Sequence, residues 1–151
     1  MVLDTPEGLK QHVGQEIAVT EWFQVTQERI GAFAEATEDR QWIHVDEERA
    51  RRESPFRTTI AHGFLTLSLL SHFIREAVQI RSGVRLAVNY GLNKVRFPAP
   101  VRAGARVRAR IHVLTVNEVA DALEVTYNVI VEREQEEKPC CVAHWIVRYY
   151  K

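Results

Sequence analysis

The chain has no excess of either charge, because its 20 lysines and arginines balance 20 aspartates and glutamates. That removes the simple electrostatic case for nucleic acid or an anionic membrane as a partner, since both demand a concentrated basic footprint. It has no uninterrupted apolar run approaching the ~20 residues of a membrane helix. Its first residues, MVLDTPEGLK, lack the basic-then-apolar order of a signal peptide. A cytoplasmic protein is expected. Cysteine is nearly absent: the two present, Cys140 and Cys141, are adjacent, a spacing that suits neither a disulfide framework nor a zinc site. In extended chain they point to opposite faces, so one is expected to be buried and the other incidental. Internal repeats, low-complexity tracts and Gly/Ser linkers are also lacking, so all 151 residues are expected to form one domain, 1–151.

What the sequence does contain is strong periodicity. Thr5, Pro6 and Glu7 read as the start of a short helix that Gly14 ends, and residues 17 to 25 as a strand. Thr26 is a plausible N-cap for a helix through about Glu38, which places Asp39 just at its C-terminal end. From Asp39 to Thr59 the pattern dissolves into charged, irregular sequence with a Ser54-Pro55 pair. Then IAHGFLTLSLLSHFIREAVQI, residues 60 to 80, places apolar residues on nearly every side of a helical wheel and predicts a helix buried all round. Four later segments, 85–97, 106–113, 123–132 and 140–150, read as strands, with the cleanest period-2 alternation in the middle two. The charged EREQEEK between the last two reads as a solvated turn. Short connections make the late strands antiparallel. The expected fold class is therefore α+β: a single hot-dog fold, a curved antiparallel sheet wrapped around a long central apolar helix.

Two short segments on this scaffold carry candidate chemistry. In ATEDRQWIHVD, residues 36 to 46, Asp39 and His44 stand at a helix end and in the loop after it, where both side chains can converge on one small volume. A carboxylate and an imidazole placed so can hold one water and exchange protons with it near neutral pH. In IAHGF, residues 60 to 64, Gly63 opens the central helix, where unpaired backbone N–H groups favour negative charge. A carbonyl docked there would have its developing oxyanion stabilised. The plainer alternative is that Gly63 permits tight helix entry and His62 is a structural cap.

Together these segments, in this order and spacing, closely resemble the MaoC-like dehydratases and (R)-specific enoyl-CoA hydratases, especially the nodulation protein N-like branch with its Q-W-I-H. YGLNKVRFPAPVRAGARVRA, residues 90 to 109, extends the resemblance, which covers roughly residues 15 to 150. It implies that Asp39 and His44 are the catalytic pair and that Gly63 offers its backbone amide to a thioester oxygen. His62, Ser71 and Trp42 are the further substrate-binding candidates. The implied reaction is (R)-specific hydration of trans-2-enoyl thioesters and its reversal, with CoA or acyl carrier protein as the carrier and no metal or organic cofactor. Which of Asp39 and His44 is base and which acid stays open at this level. Two departures stand out: Glu38 replaces a glycine common in relatives, and Arg40, Gln41 and Trp42 replace Phe-Asn-Pro.

Other readings compete. A metal site of His44, Asp46 and His62 has the right donor types but no supporting motif. Hot-dog domains also host thioesterases, and a non-catalytic acyl-thioester-binding module is a third possibility. Arg40, Lys94 and Arg96 are candidates for a carrier's phosphates, although solvated charge is the more ordinary role. Trp22, Phe56 and Phe64, with Trp42, are candidates to line an acyl tunnel. A homodimer in which two sheets join is the expected assembly.

Overall fold

The alternation in the second half of the chain becomes four long strands in a computed structural model that describes residues 1–151. These are β5 (Leu86–Arg96), β6 (Arg106–Val119), β7 (Ala122–Arg133) and β8 (Cys141–Tyr150). Two shorter strands, β2 (Glu16–Val19) and β3 (Phe23–Gln24), both pair with β6 and complete a six-stranded antiparallel sheet of order β2-β6-β7-β8-β5. The residues expected to face inward do so: Val107, Ala109, Ile111 and Val113 on β6, and Leu123, Val125, Tyr127, Val129 and Val131 on β7, are all buried. β8 alternates as cleanly, burying Cys141, Ala143, Trp145, Val147 and Tyr149. On the outer face the arginines of β6 meet carboxylates across the sheet, Arg108 with Glu132 and Arg110 with Glu16, both at 2.8 Å. They are ion-paired side chains, not a free basic stripe.

Several expectations are corrected by the structure. The strand expected over 17 to 25 is broken, because Thr20 turns its hydroxyl into the sheet and accepts the Ala109 N–H at 2.9 Å where the chain bends. The opening helix is a 3-10 helix, Pro6–His12, and Thr5 makes no side-chain cap to it. The irregular stretch after Asp39 contains two short helices, α2 (Trp42–Val45) and α3 (Glu47–Glu53). Charge and short length hid them, since α3 owes its start to a local cap in which Asp46 accepts the Arg49 N–H at 2.9 Å. Cys140 and Cys141 are both buried. Cys140 lies just before β8, outside the alternation, where its thiol donates to the Val131 carbonyl at 3.4 Å.

α1 (Gln27–Thr37) begins as expected on Thr26, whose hydroxyl accepts the Arg29 N–H at 3.2 Å. The central helix is interrupted at Leu69 into α4 (Gly63–Ser68) and α5 (Leu70–Ala77). It is not buried all round. Leu65, Leu69, Leu70, Phe73 and Ile74 join the sheet's inner face in one core, but Phe64 is 68% exposed and Ser68, Arg75 and Glu76 are exposed beside it. A wheel of apolar residues records every surface a helix covers, including one that a single chain leaves open. A small parallel pairing of β1 (Val2–Leu3) with β4 (Gln79–Ile80) ties the amino terminus to the end of this helix.

Candidate active site

α1 ends because Glu38 turns into the left-handed region, with φ of 61°. That conformation favours glycine, and this chain places glutamate in it. Arg40 folds back over the turn and pairs with Glu38 and, at 2.7 Å, with Glu35. These contacts occupy Arg40 and hold the Glu35 carboxyl below the usual range. Lys94 and Arg96 are exposed and make no ion pair.

The turn delivers Asp39 to the start of α4. His62, 3% exposed, donates from Nε2 to the Asp39 carbonyl at 2.9 Å, and the same nitrogen lies 3.9 Å from Asp39 Oδ2. The ring of His44 stacks on that of His62 with centroids 3.7 Å apart. Donor atoms of Asp39, His44 and His62 all lie within 4.8 Å of one another. The structure therefore brings the expected pair together, and adds His62 as its third member.

His44 is buried and firmly oriented. Its Nδ1 lies 2.7 Å from the Ile60 carbonyl. A carbonyl can only accept, so Nδ1 carries the proton and Nε2 of the neutral ring keeps its lone pair. Burial pushes the His44 pKa down from its ordinary value; the Ile60 bond opposes this, nearby His62 adds to it, and Asp39 pulls back. The ring is thus neutral and basic at Nε2 near pH 7. Asp39, by contrast, keeps about half of its side chain in solvent.

Beside this cluster lies a cavity of about 300 Å³ lined by His44, Gly63, Thr66, Phe97 and Cys140 with the Pro98–Val101 turn. Phe97 explains why residue 63 is glycine: a Cβ there would meet the Phe97 ring at 2.8 Å. Neither the Gly63 nor the Phe64 N–H donates to any protein acceptor, so the start of α4, where Gly63 lines the cavity, carries two donors without a partner.

Other expected residues fall elsewhere. Ser71 is two turns along the helix, roughly 12 Å from Gly63 by helical rise, and lines a second, apolar cavity of about 450 Å³ with Ile74, Val78, Trp145 and Tyr149. Asn89 donates to its hydroxyl at 3.3 Å. Trp42 lies under the Arg49 guanidinium at 4.5 Å and Trp22 under Arg108 at the same distance; neither lines these cavities. Asp46, expected in the metal reading, is spent on capping α3; Asp39 takes its place in the cluster. Two residues escaped the sequence reading entirely. Gln27 donates to the His44 carbonyl at 2.8 Å and accepts a hydrogen bond from Thr59. Their partners are 17 and 32 residues away, beyond the reach of any local pattern.

The family model described as "MaoC like domain" matches residues 9–135. The chain belongs to the MaoC-like family. It is 50% identical over 137 residues to "3-hydroxyacyl-thioester dehydratase Z" of Mycobacterium tuberculosis, covering 90% of this chain and 89% of the relative. It is 48% identical over 136 residues to "Nodulation protein N" of Rhizobium leguminosarum, with 89% and 84% covered. Among solved MaoC-like structures, the monoamine oxidase regulatory protein of Archaeoglobus superposes with a TM-score of 0.79 at 26% identity, over 100% of this chain and 97% of that one. The hot-dog fold expected from the strand and helix pattern is the fold of the chain.

Proposed function

We propose that this MaoC-like protein is a hydro-lyase that adds water across the 2,3 double bond of a trans-2-enoyl thioester, giving the (R)-3-hydroxyacyl product, and catalyses the reverse dehydration. The observation that carries this reading is the commitment of His44 Nδ1–H to the Ile60 carbonyl. It leaves Nε2 as the free base of a ring whose donor atoms cluster with the Asp39 carboxylate within 4.8 Å, at the edge of a cavity that also holds Gly63.

A water held between Nε2 and Asp39 loses a proton to Nε2 as its oxygen attacks C3. Electrons move from the double bond onto the thioester oxygen, which the Gly63 and Phe64 N–H groups stabilise, a contribution of roughly 3 kcal/mol or more per donor in comparable sites. The imidazolium, balanced by Asp39, then returns its proton to C2 on the same face. A thioester is needed because only a carbonyl that accepts this charge makes C2 acidic enough. The route calls on no metal or organic cofactor; CoA or acyl carrier protein is the carrier, and a cytoplasmic setting belongs to the same reading.

The apolar cavity beside Ser71 suits the acyl tail. Homodimerisation through β5 is part of the proposal, because that strand pairs only with β8 and leaves Leu86, Val88, Tyr90 and Leu92 exposed along a free edge. An exposed apolar edge is a pairing surface unless it is covered. The test is incubation with crotonyl-CoA and a medium-chain trans-2-enoyl-CoA, following enoyl absorbance, free thiol and product chirality. Loss of the enoyl signal with an (R)-alcohol supports the proposal. Thiol release without hydration would make the protein a thioesterase, and binding without either signal a non-catalytic module.

A further inference from the structure

Hydrogen bonds around His44 form a closed circuit. The His44 imidazole donates to the Ile60 carbonyl at 2.7 Å. Ile60 is joined by one peptide to Thr59, a residue 1% exposed, whose hydroxyl donates to Gln27 Oε1. The other end of that amide, Nε2, donates at 2.8 Å to the backbone carbonyl of His44 itself. The orientation of Gln27 is fixed by chemistry: the His44 carbonyl can only accept, so the amide nitrogen must face it and the oxygen must face Thr59. The 59–61 segment is in turn held in the fold, with Ile60 N–H on the Ile43 carbonyl at 3.0 Å, Ala61 N–H on Val101 at 2.8 Å and Ala103 N–H on Thr59 at 3.0 Å.

We propose that Gln27, acting with Thr59, is a positioning residue that fixes the orientation and tautomer of His44 without touching the substrate. This rests on the reading of His44 as the base. α2, which carries His44, is a single turn of four residues, too short to hold its own geometry. Its ring direction must come from outside. Gln27, at the first position of an 11-residue helix anchored in the core by Ile30 and Ala34, supplies it. Removing the amide frees the α2 turn to rock, and with it the Nδ1–H bond that keeps the Nε2 lone pair on the water.

The titratable groups facing His44 are Asp39 from the end of α1, His62 from the start of α4 and Cys140 across the cavity, whose thiol burial pushes up to about 12 and keeps neutral. None is altered by substituting Gln27, so a shift in the pH profile reports on His44 itself.

The experiment uses full-length Gln27→Leu, Thr59→Val and the double variant, each checked for folding by circular dichroism and melting. Gln27→Leu is expected to lower kcat about tenfold or more with KM within about twofold, in line with the cost of misorienting a catalytic group. The acid limb of its kcat profile should move to higher pH as the ring gains solvent. The double variant should lose no more than the worse single one, as residues acting in one unit do. Nitrogen NMR of labelled histidine, with His44→Ala to assign the signal, should show the Nδ1–H tautomer of His44 diminished in Gln27→Leu. That last readout is independent of turnover, so it tests the circuit even if no enoyl thioester is hydrated. A folded Gln27→Leu protein with unchanged kcat, pH profile and His44 tautomer overturns the proposal, as does one that merely melts at lower temperature.

Discussion

His44 is held neutral because it is buried, and that gives the site a pH dependence whose sign is fixed. A ring whose pKa is pushed down by burial remains neutral well into mild acid, so kcat/KM for hydration should hold level through neutrality. It should fall only below the ordinary histidine value of 6.5. A limb centred above 6.5 would contradict the burial argument. Gly63 makes a second residue-scale prediction. A methyl group there must displace the Phe97 ring and with it the cavity wall, so Gly63→Ala should cut kcat/KM by roughly tenfold or more. Unaltered kinetics would place the thioester away from Gly63. Glu38 makes a third. Its left-handed φ of 61° carries a strain that glycine relieves, while its exposed ion pair with Arg40 is worth little. Glu38→Gly should therefore raise stability by about 0.5–1 kcal/mol in urea unfolding; a loss of stability would show that the Arg40 contact outweighs the strain.

At the scale of elements, what was legible in the sequence follows the physics of each. Long strands with one buried face declare themselves by alternation: β7 and β8 lie within one residue of their expected bounds, while β6 starts where expected but runs on to Val119, past the expected end at Val113. α1 declared itself by its cap. The short helices α2 and α3 did not, because four and seven residues give too few turns for a period to emerge. The central helix was misread on burial for the opposite reason: its apolar wheel is real, but the face at Phe64 has nothing over it in one chain. The Asp39–His44 juxtaposition was legible because it is local. His62 entered through its motif, and its stacking on His44 could not be foreseen. Gln27 and Thr59 were invisible because their contacts close only when α1, α2 and the 59–61 segment meet. The junction of helix and sheet also sets a stability expectation. Phe73 is 1% exposed where α5 meets the sheet, so Phe73→Ala should cost about 3–5 kcal/mol in denaturant unfolding.

For the whole molecule, the exposed apolar strip of β5 and the uncovered flank of the central helix belong to one prediction. Light scattering should give twice the 17.4 kDa of a single chain, and charges placed on that strip, as in Tyr90→Asp with Leu92→Asp, should return a monomer. A wild-type monomer would leave the edge strand unexplained. The account as a whole stands on one pair of side chains acting on one water. The most direct measurement is the rate of crotonyl-CoA hydration by the wild-type protein, His44→Ala, Asp39→Asn and the double variant, all confirmed as folded. Each single substitution is expected to lower kcat by about a hundredfold to ten-thousandfold, with the double variant no worse than the weaker single one. A His44→Ala protein that hydrates the substrate at the wild-type rate would contradict the account at its centre.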